Sequence, residues 1–300
     1  MIVAKKNRTI HQSVTGYATV IFLSAFLLFQ VQPVIARYIL PWFGGSPSVW
    51  TTCMLFFQVM LLVGYAYAHF LTTRLPLHRQ AAVHLTLLFV ALWCLPITPD
   101  GSWKPTGDEN PTLSILVLLG IHVGIPYLAV ASTAPLLQRW FSYSDPTHFP
   151  TRLYALSNLG SLLGLLTYPL LVEPWLPLGT QTLGWSVGFG VFALLCGGIA
   201  AGLFRSEQPR PTPTATEPRR WALWLALPAC GSVMLLAATN QICQDVAVVP
   251  FLWILPLTLY LLSFIIAFGD ARWYDRRVWT ALLIPSLAGS VYLLHPYQVR

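Results

Sequence analysis

Charge is what this sequence has least of. Only 9% of its 300 residues are Asp, Glu, Lys or Arg, and ten of them are acidic. Soluble domains run nearer 25% charged. That scarcity excludes an ordinary solvated surface over most of the chain. Cysteine is sparse and unpatterned. Cys53, Cys94, Cys196, Cys230 and Cys243 are odd in number, lie in or beside apolar runs, and form no CxxC. They read as small apolar packing residues, without disulfide or metal spacing. A phosphate-binding Walker loop, zinc spacing and a nucleophile elbow are lacking too. The "GFG" at 188–190 follows no strand, so it is no dinucleotide fingerprint. No carboxylate pair stands at catalytic spacing. The sequence therefore predicts no catalytic residue, no metal site and no cofactor, and leans away from an enzyme within these residues.

What is present is hydrocarbon: 56% of the residues are apolar, gathered into runs of roughly 20 that suit a hydrocarbon core about 30 Å thick. Such runs do not alternate as the strands of a membrane barrel would. The fold class expected is all-α, a polytopic transmembrane bundle, because helices satisfy every backbone polar group within the segment. Nine helices are predicted, at about 14–36, 47–71, 81–98, 112–134, 153–172, 182–204, 221–241, 247–268 and 278–295. The seventh has room to extend to Val249. The basic start, "MIVAKKNRTIHQSVTG", precedes an apolar segment too long for a signal core. It reads as a retained first helix.

The basic residues test this layout. Fourteen of the 17 Lys and Arg fall at the N-terminus or in the loops after the second, fourth, sixth and eighth helices. Only Arg37, Lys104 and Arg300 fall on the other side. The positive-inside rule then predicts a multi-pass protein of the cell membrane with a cytoplasmic N-terminus. The +7 net charge thus reads as topology, with no nucleic-acid partner implied. Tryptophans 42, 140, 175, 221, 224, 273 and 279 stand at predicted helix ends, as an interfacial aromatic belt would place them. The bilayer is the expected partner.

One segment departs from the pattern. "RSEQPRPTPTATEPRR", residues 205–220, reads as an extended, proline-stiffened cytoplasmic linker. It divides the chain into a six-helix bundle (1–204) and three further helices (221–300). Six helices and a loose loop are how major-facilitator-type transporters begin, so the second part reads as an incomplete half of a longer product. A weak repeat agrees: Gln32 precedes Pro41 by the same interval as Gln241 precedes Pro250.

Polar residues inside these runs are the candidates for function. Pro33 has no N–H to give Phe29 and is expected to kink the first helix, with Gln30 and Gln32 able to donate to freed carbonyls. Those amides either line a cavity for a solute or bond helix to helix, at about 0.6 kcal/mol per contact. Arg37, Glu173 and Asp245 are all expected at outer helix ends. They form either an interfacial, hydrated set or a pocket closed by an Arg37–Asp245 pair, with Asn240, Gln241 and Gln244 beside it. His122, expected near the middle of the fourth helix, and Asn158 in the fifth read as either proton or polar sites or packing residues. Four glycine pairs, Gly120/Gly124, Gly160/Gly164, Gly184/Gly188 and Gly198/Gly202, have the spacing that lets helices approach closely.

Three stretches resemble a known family. "LLFQVQPVIARYILPWFGGSPSVWTTCMLFFQVMLLVGYAYAH" (27–69), "LYALSNLGSLLGLLTYPLLVEP" (153–174) and "NQICQDVAVVPFLWILPLTLYLLSF" (240–264) are similar to the membrane portion of bacterial fused transporter-type/spermidine-synthase-like proteins. The resemblance implies a major-facilitator-like membrane part followed by a cytoplasmic domain resembling polyamine aminopropyltransferases. The motifs of that domain are absent from these 300 residues, so no catalytic residue carries over. Two roles follow as expectations. One is a membrane module that binds or moves a small, cationic solute. The other is an anchor and scaffold for a cytoplasmic synthase-like domain or subunit. A polycation site needs several carboxylates, and only Glu173 and Asp245 lie near the predicted bundle.

Overall fold

The computed structural model describes residues 2–44, 46–105, 107, 110–144, 151–204, 221–245, 254–270 and 272–294. The side chains of 2–13, 47, 144, 221, 224, 238, 240–245, 290, 293 and 294 are excepted. The linker predicted at 205–220 lies outside the described residues. Among the described residues the chain is helical, with no strand.

Among the described residues nine helical rods follow one another. They are α1 (Ile2–Phe43), α2 (Pro47–Arg74), α3 (Leu77–Trp93), and α4, in which Pro111–Leu119, a π-turn at Gly120–Gly124 and Ile125–Ser144 join end to end. Next come α5, from Thr151–Thr167 through a π-turn at Tyr168–Val172 to Glu173–Trp175, and α6 (Leu178–Leu203). Last are α7 (Trp221–Asp245), α8 (Ile254–Gly269) and α9 (Arg276–Leu294).

Local chemistry sets several ends. Gly44, at φ +88°, closes α1 by donating its N–H to Leu40 O at 2.9 Å, the left-handed stop that glycine adopts without strain. Asn110 caps α4, accepting from the N–H groups of Thr112 and Leu113, with Pro111 at the first helical position. Inside α5, Pro169 withholds an N–H, and the helix loosens there into the π-turn. Inside α1, by contrast, the helix is continuous through Pro33 and Pro41.

Among the described residues five segments are long and apolar enough to cross a membrane: Val14–Phe43, Ser48–Arg74, Pro111–Tyr143, Thr151–Trp175 and Leu178–Leu203. Leu225–Ala237 and Ile254–Gly269 are shorter apolar helices. The third rod lies earlier than the predicted 81–98: it starts at Leu77 and ends at Trp93, because the chain leaves the helix at Cys94 and Leu95–Pro96 follows.

The core belongs to α1–α6. It holds Ile21, Ile35, Ile39, Tyr127, Phe189 and Phe192, all fully buried. The first helix is its axis, packed against α2, α4, α5 and α6. Helices as apolar as these are held together by close packing and hydrogen bonds. One of the four predicted glycine pairs does this at backbone level. A Cβ on Gly160 would stand 2.5 Å from Phe22 O, and one on Gly164 2.7 Å from Phe26 O, so α5 lies directly on the α1 main chain. Gly120, Gly184, Gly198 and Gly202 face open space. A crossing outside the predicted pairs occurs where Gly64 of α2 meets Ala131 of α4, 2.9 Å from an added Cβ.

Beyond α6 the packing thins. The eighth rod lies on α5 where the Tyr154 ring meets Phe264 at 5.9 Å and Phe268 at 4.8 Å between centroids. The seventh contacts α8, and the described side chains of α9 are exposed.

Candidate functional site

The amides of α1 find their partners across helix boundaries. Gln30 is buried, and its Nε2 donates to Gly164 O at 3.0 Å and to Thr167 Oγ1 at 2.8 Å. Thr167 in turn donates to Leu163 O at 2.6 Å. The close approach at Gly160 and Gly164 is what lets Gln30 reach the α5 backbone. Gln32 donates to Tyr127 Oη of α4 at 3.3 Å and to Leu28 O, one turn back, at 3.4 Å. It does not take the Phe29 carbonyl that the sequence offered it.

Two further donors reach the same stretch of α1. Trp185 Nε1 of α6 donates to Leu27 O at 2.9 Å. Tyr168 Oη of α5 stands 3.3 Å from Pro33 O and 3.2 Å from Gln181 Oε1, and Gln181 Nε2 donates to Leu176 O at 2.8 Å. A polar seam therefore runs between α1, α5 and α6 from Leu27 to Glu173. It ends at Arg37, half-buried, whose Nη1 donates to the main-chain oxygen of Glu173 at 3.3 Å. The structure thus brings Arg37 and Glu173 together through a carbonyl. The side chains of Asn240, Gln241, Gln244 and Asp245 lie outside the described residues.

His122 is not central. It sits in the π-turn of α4, nearer the Pro111 end. There Nδ1 lies 3.0 Å from Leu118 O, and the Trp103 ring meets it edge-on at 5.1 Å. Trp103 belongs to the loop that precedes α4. In that loop the Ser102 hydroxyl, and then its N–H at 2.8 Å, bond Asp100 and hold the carboxyl below its usual range. The nearby His122 adds a smaller effect in the same direction. Lys104 lies over the Trp42 ring at 5.9 Å, which ties this loop to the same end of α1. Asn158 is satisfied on its own helix, donating to Tyr154 O at 2.8 Å.

The opposite end of the bundle carries a second polar cluster, which the sequence reading passed over. Gln80 Nε2 donates to Leu75 O at 2.8 Å, while its Oε1 accepts from Trp140 Nε1 at 2.9 Å. His84 is fully buried, with Nδ1 3.5 Å from Tyr67 Oη and its ring edge-on to Trp140 at 6.0 Å. The signal was available: Gln80 and His84 are four residues apart and so share one face of α3. Trp140, expected in an interfacial belt, is instead fully buried as a hydrogen-bond donor. Trp175 and Trp273 are exposed, as such a belt requires. Among the cysteines, Cys53 and Cys196 are buried, but Cys230 is exposed.

No group of three or more His, Cys, Asp or Glu able to hold a metal occurs among the described residues. Comparison of the chain with models of protein families, with curated proteins and with solved structures finds no match.

Proposed function

We propose that this chain is the membrane module of a spermidine-synthase-like protein, and that its bundle works as an anchor and scaffold for a cytoplasmic synthase-like domain or subunit. It crosses a bacterial inner membrane nine times from a cytoplasmic N-terminus, six helices before residues 205–220 and three after, in a major-facilitator-like order. The family rests on the three stretches at 27–69, 153–174 and 240–264. Sidedness rests on the basic residues: Arg74 and Arg79 share one end of the bundle with the Gln80–Trp140 cluster, while Lys104 lies at the other end.

The observation that carries the scaffold role is the use of the α1 amides. Both Gln30 and Gln32 spend donors on neighbouring helices, as glue does and as the lining of a water-filled path does not. Solute binding keeps one foothold, the half-buried Arg37 with Glu173 beside it at the bundle's end. The two readings separate by thiol labelling. In a cysteine-free background, Gln30→Cys and Gln32→Cys are expected to resist a water-soluble maleimide in intact membranes. Rapid labelling of both would overturn the scaffold reading in favour of a solute path.

A further inference from the structure

The outer face of α3 and α6 carries a cavity of about 450 Å³, lined by Leu85, Thr86, Leu88, Phe89, Leu92, Ala193 and Leu194. Its one hydroxyl, on Thr86, is spent on Ala82 O at 3.1 Å, so the lining offers no free donor. Phe89 and Leu194 are largely exposed, which places the cavity on the bundle's outside. The size is that of a ligand site, and the lining suits hydrocarbon alone.

Helix geometry supplies the rest. Leu85 and Leu92 are seven residues apart and share one stripe of α3, and the residue seven before Leu85 is His78. At 1.5 Å per residue, His78 stands about 10 Å from Leu85 along the axis, within the roughly 15 Å that the tails of one leaflet span. Beside His78 are Arg79 and, at the end of α2, Arg74, all three exposed. Neither α2 nor α3 carries a carboxylate, since the first in the chain is Asp100, in the loop at the far end of α3.

We propose that this groove is a binding site for an anionic phospholipid of the leaflet at the Arg74/Arg79 end. Its phosphate rests on Arg74, His78 and Arg79, and one acyl chain lies between α3 and α6. The proposal rests on the membrane reading above, which supplies the leaflet. Guanidinium groups suit a phosphate because their donors match its oxygens in pairs.

Native mass spectrometry of the detergent-purified chain tests it, with phosphatidylglycerol, phosphatidylcholine or inorganic phosphate added at equal concentration. The expected result is one phosphatidylglycerol retained at least tenfold more strongly than phosphatidylcholine, with no retention of phosphate. Retention should fall at least fivefold in Arg79→Gln with His78→Ala, and also in Phe89→Ala with Leu194→Ala. It should hold in Leu62→Ala, a change on the exposed face of α2. Equal retention of both lipids, indifference to the basic substitutions, or binding of phosphate alone would each overturn the proposal. Alkaline carbonate extraction of the wild type separates the two readings. A chain that stays in the membrane pellet yet holds no lipid refutes the groove alone, and release into the supernatant refutes the membrane reading.

Discussion

Gly160 and the Phe22 carbonyl lie so close that a single methyl group placed between α5 and α1 would stand 2.5 Å from the oxygen. The obstructing atom is main chain, so no side-chain rotation relieves it. Gly160→Ala and Gly164→Ala are each expected to destabilise the bundle by about 1–3 kcal/mol, the usual cost of overpacking. Gly184→Ala and Gly198→Ala, whose added methyl meets nothing within 4 Å, should stay within about 0.5 kcal/mol. Unfolding of the four variants in detergent, followed by circular dichroism, checks the contrast. Equal stability of all four would remove the close crossing.

Trp140 and Gln80 make the second test. In Trp140→Phe the buried Gln80 Oε1 loses its 2.9 Å donor, and stability should fall by about 1–3 kcal/mol, the cost of a buried polar atom left unpaired. Adding Gln80→Met removes the orphan, so the double variant should lose less than the sum of the two single changes. Strict additivity would show that the hydrogen bond contributes nothing.

The order of the helices was legible in the sequence, five of the described ones being long and apolar enough to cross a membrane, and their partners were not. Runs of apolar residues mark where each rod lies, but not its ends: α1 begins 12 residues before and ends 7 after the predicted 14–36, and α4 runs 10 residues beyond the predicted 134. Gln30 and Gln32 stood out because amides are rare in such runs. Their acceptors did not, because Gly164 O is a backbone atom and Thr167 looks like any hydroxyl in a helix. The Gly160/Gly164 spacing was visible, yet three other pairs carried the same spacing without a backbone contact. Which pair meets a neighbour is decided by how the rods are arranged, and local pattern does not contain that. The aromatic-belt rule misjudged Trp140 for a similar reason: a Trp near a helix end serves lipid headgroups or a buried amide equally well, and only the position of Gln80 decides.

Asp100 gives a pH test outside the bundle. Its folded carboxyl titrates below the ordinary value because Ser102 donates to the ionised form. The sign follows: the contribution is present above the unfolded pKa and is lost as pH falls through the folded one. Ser102→Ala removes the larger of the two donors and should move the Asp100 titration upward, read from the carboxyl carbon shift by NMR. Identical titration curves in the two proteins would refute the bond.

Gln30 leaves the ribosome 134 residues ahead of Gly164 and 137 ahead of Thr167, the two groups that satisfy it. At roughly 5–20 residues per second, the first helix waits about 7–27 s before its amide has those acceptors. During that interval Gln30 lacks both of its acceptors in α5. Synthesis interrupted before α5 would therefore leave a product whose first helix carries that amide without either partner.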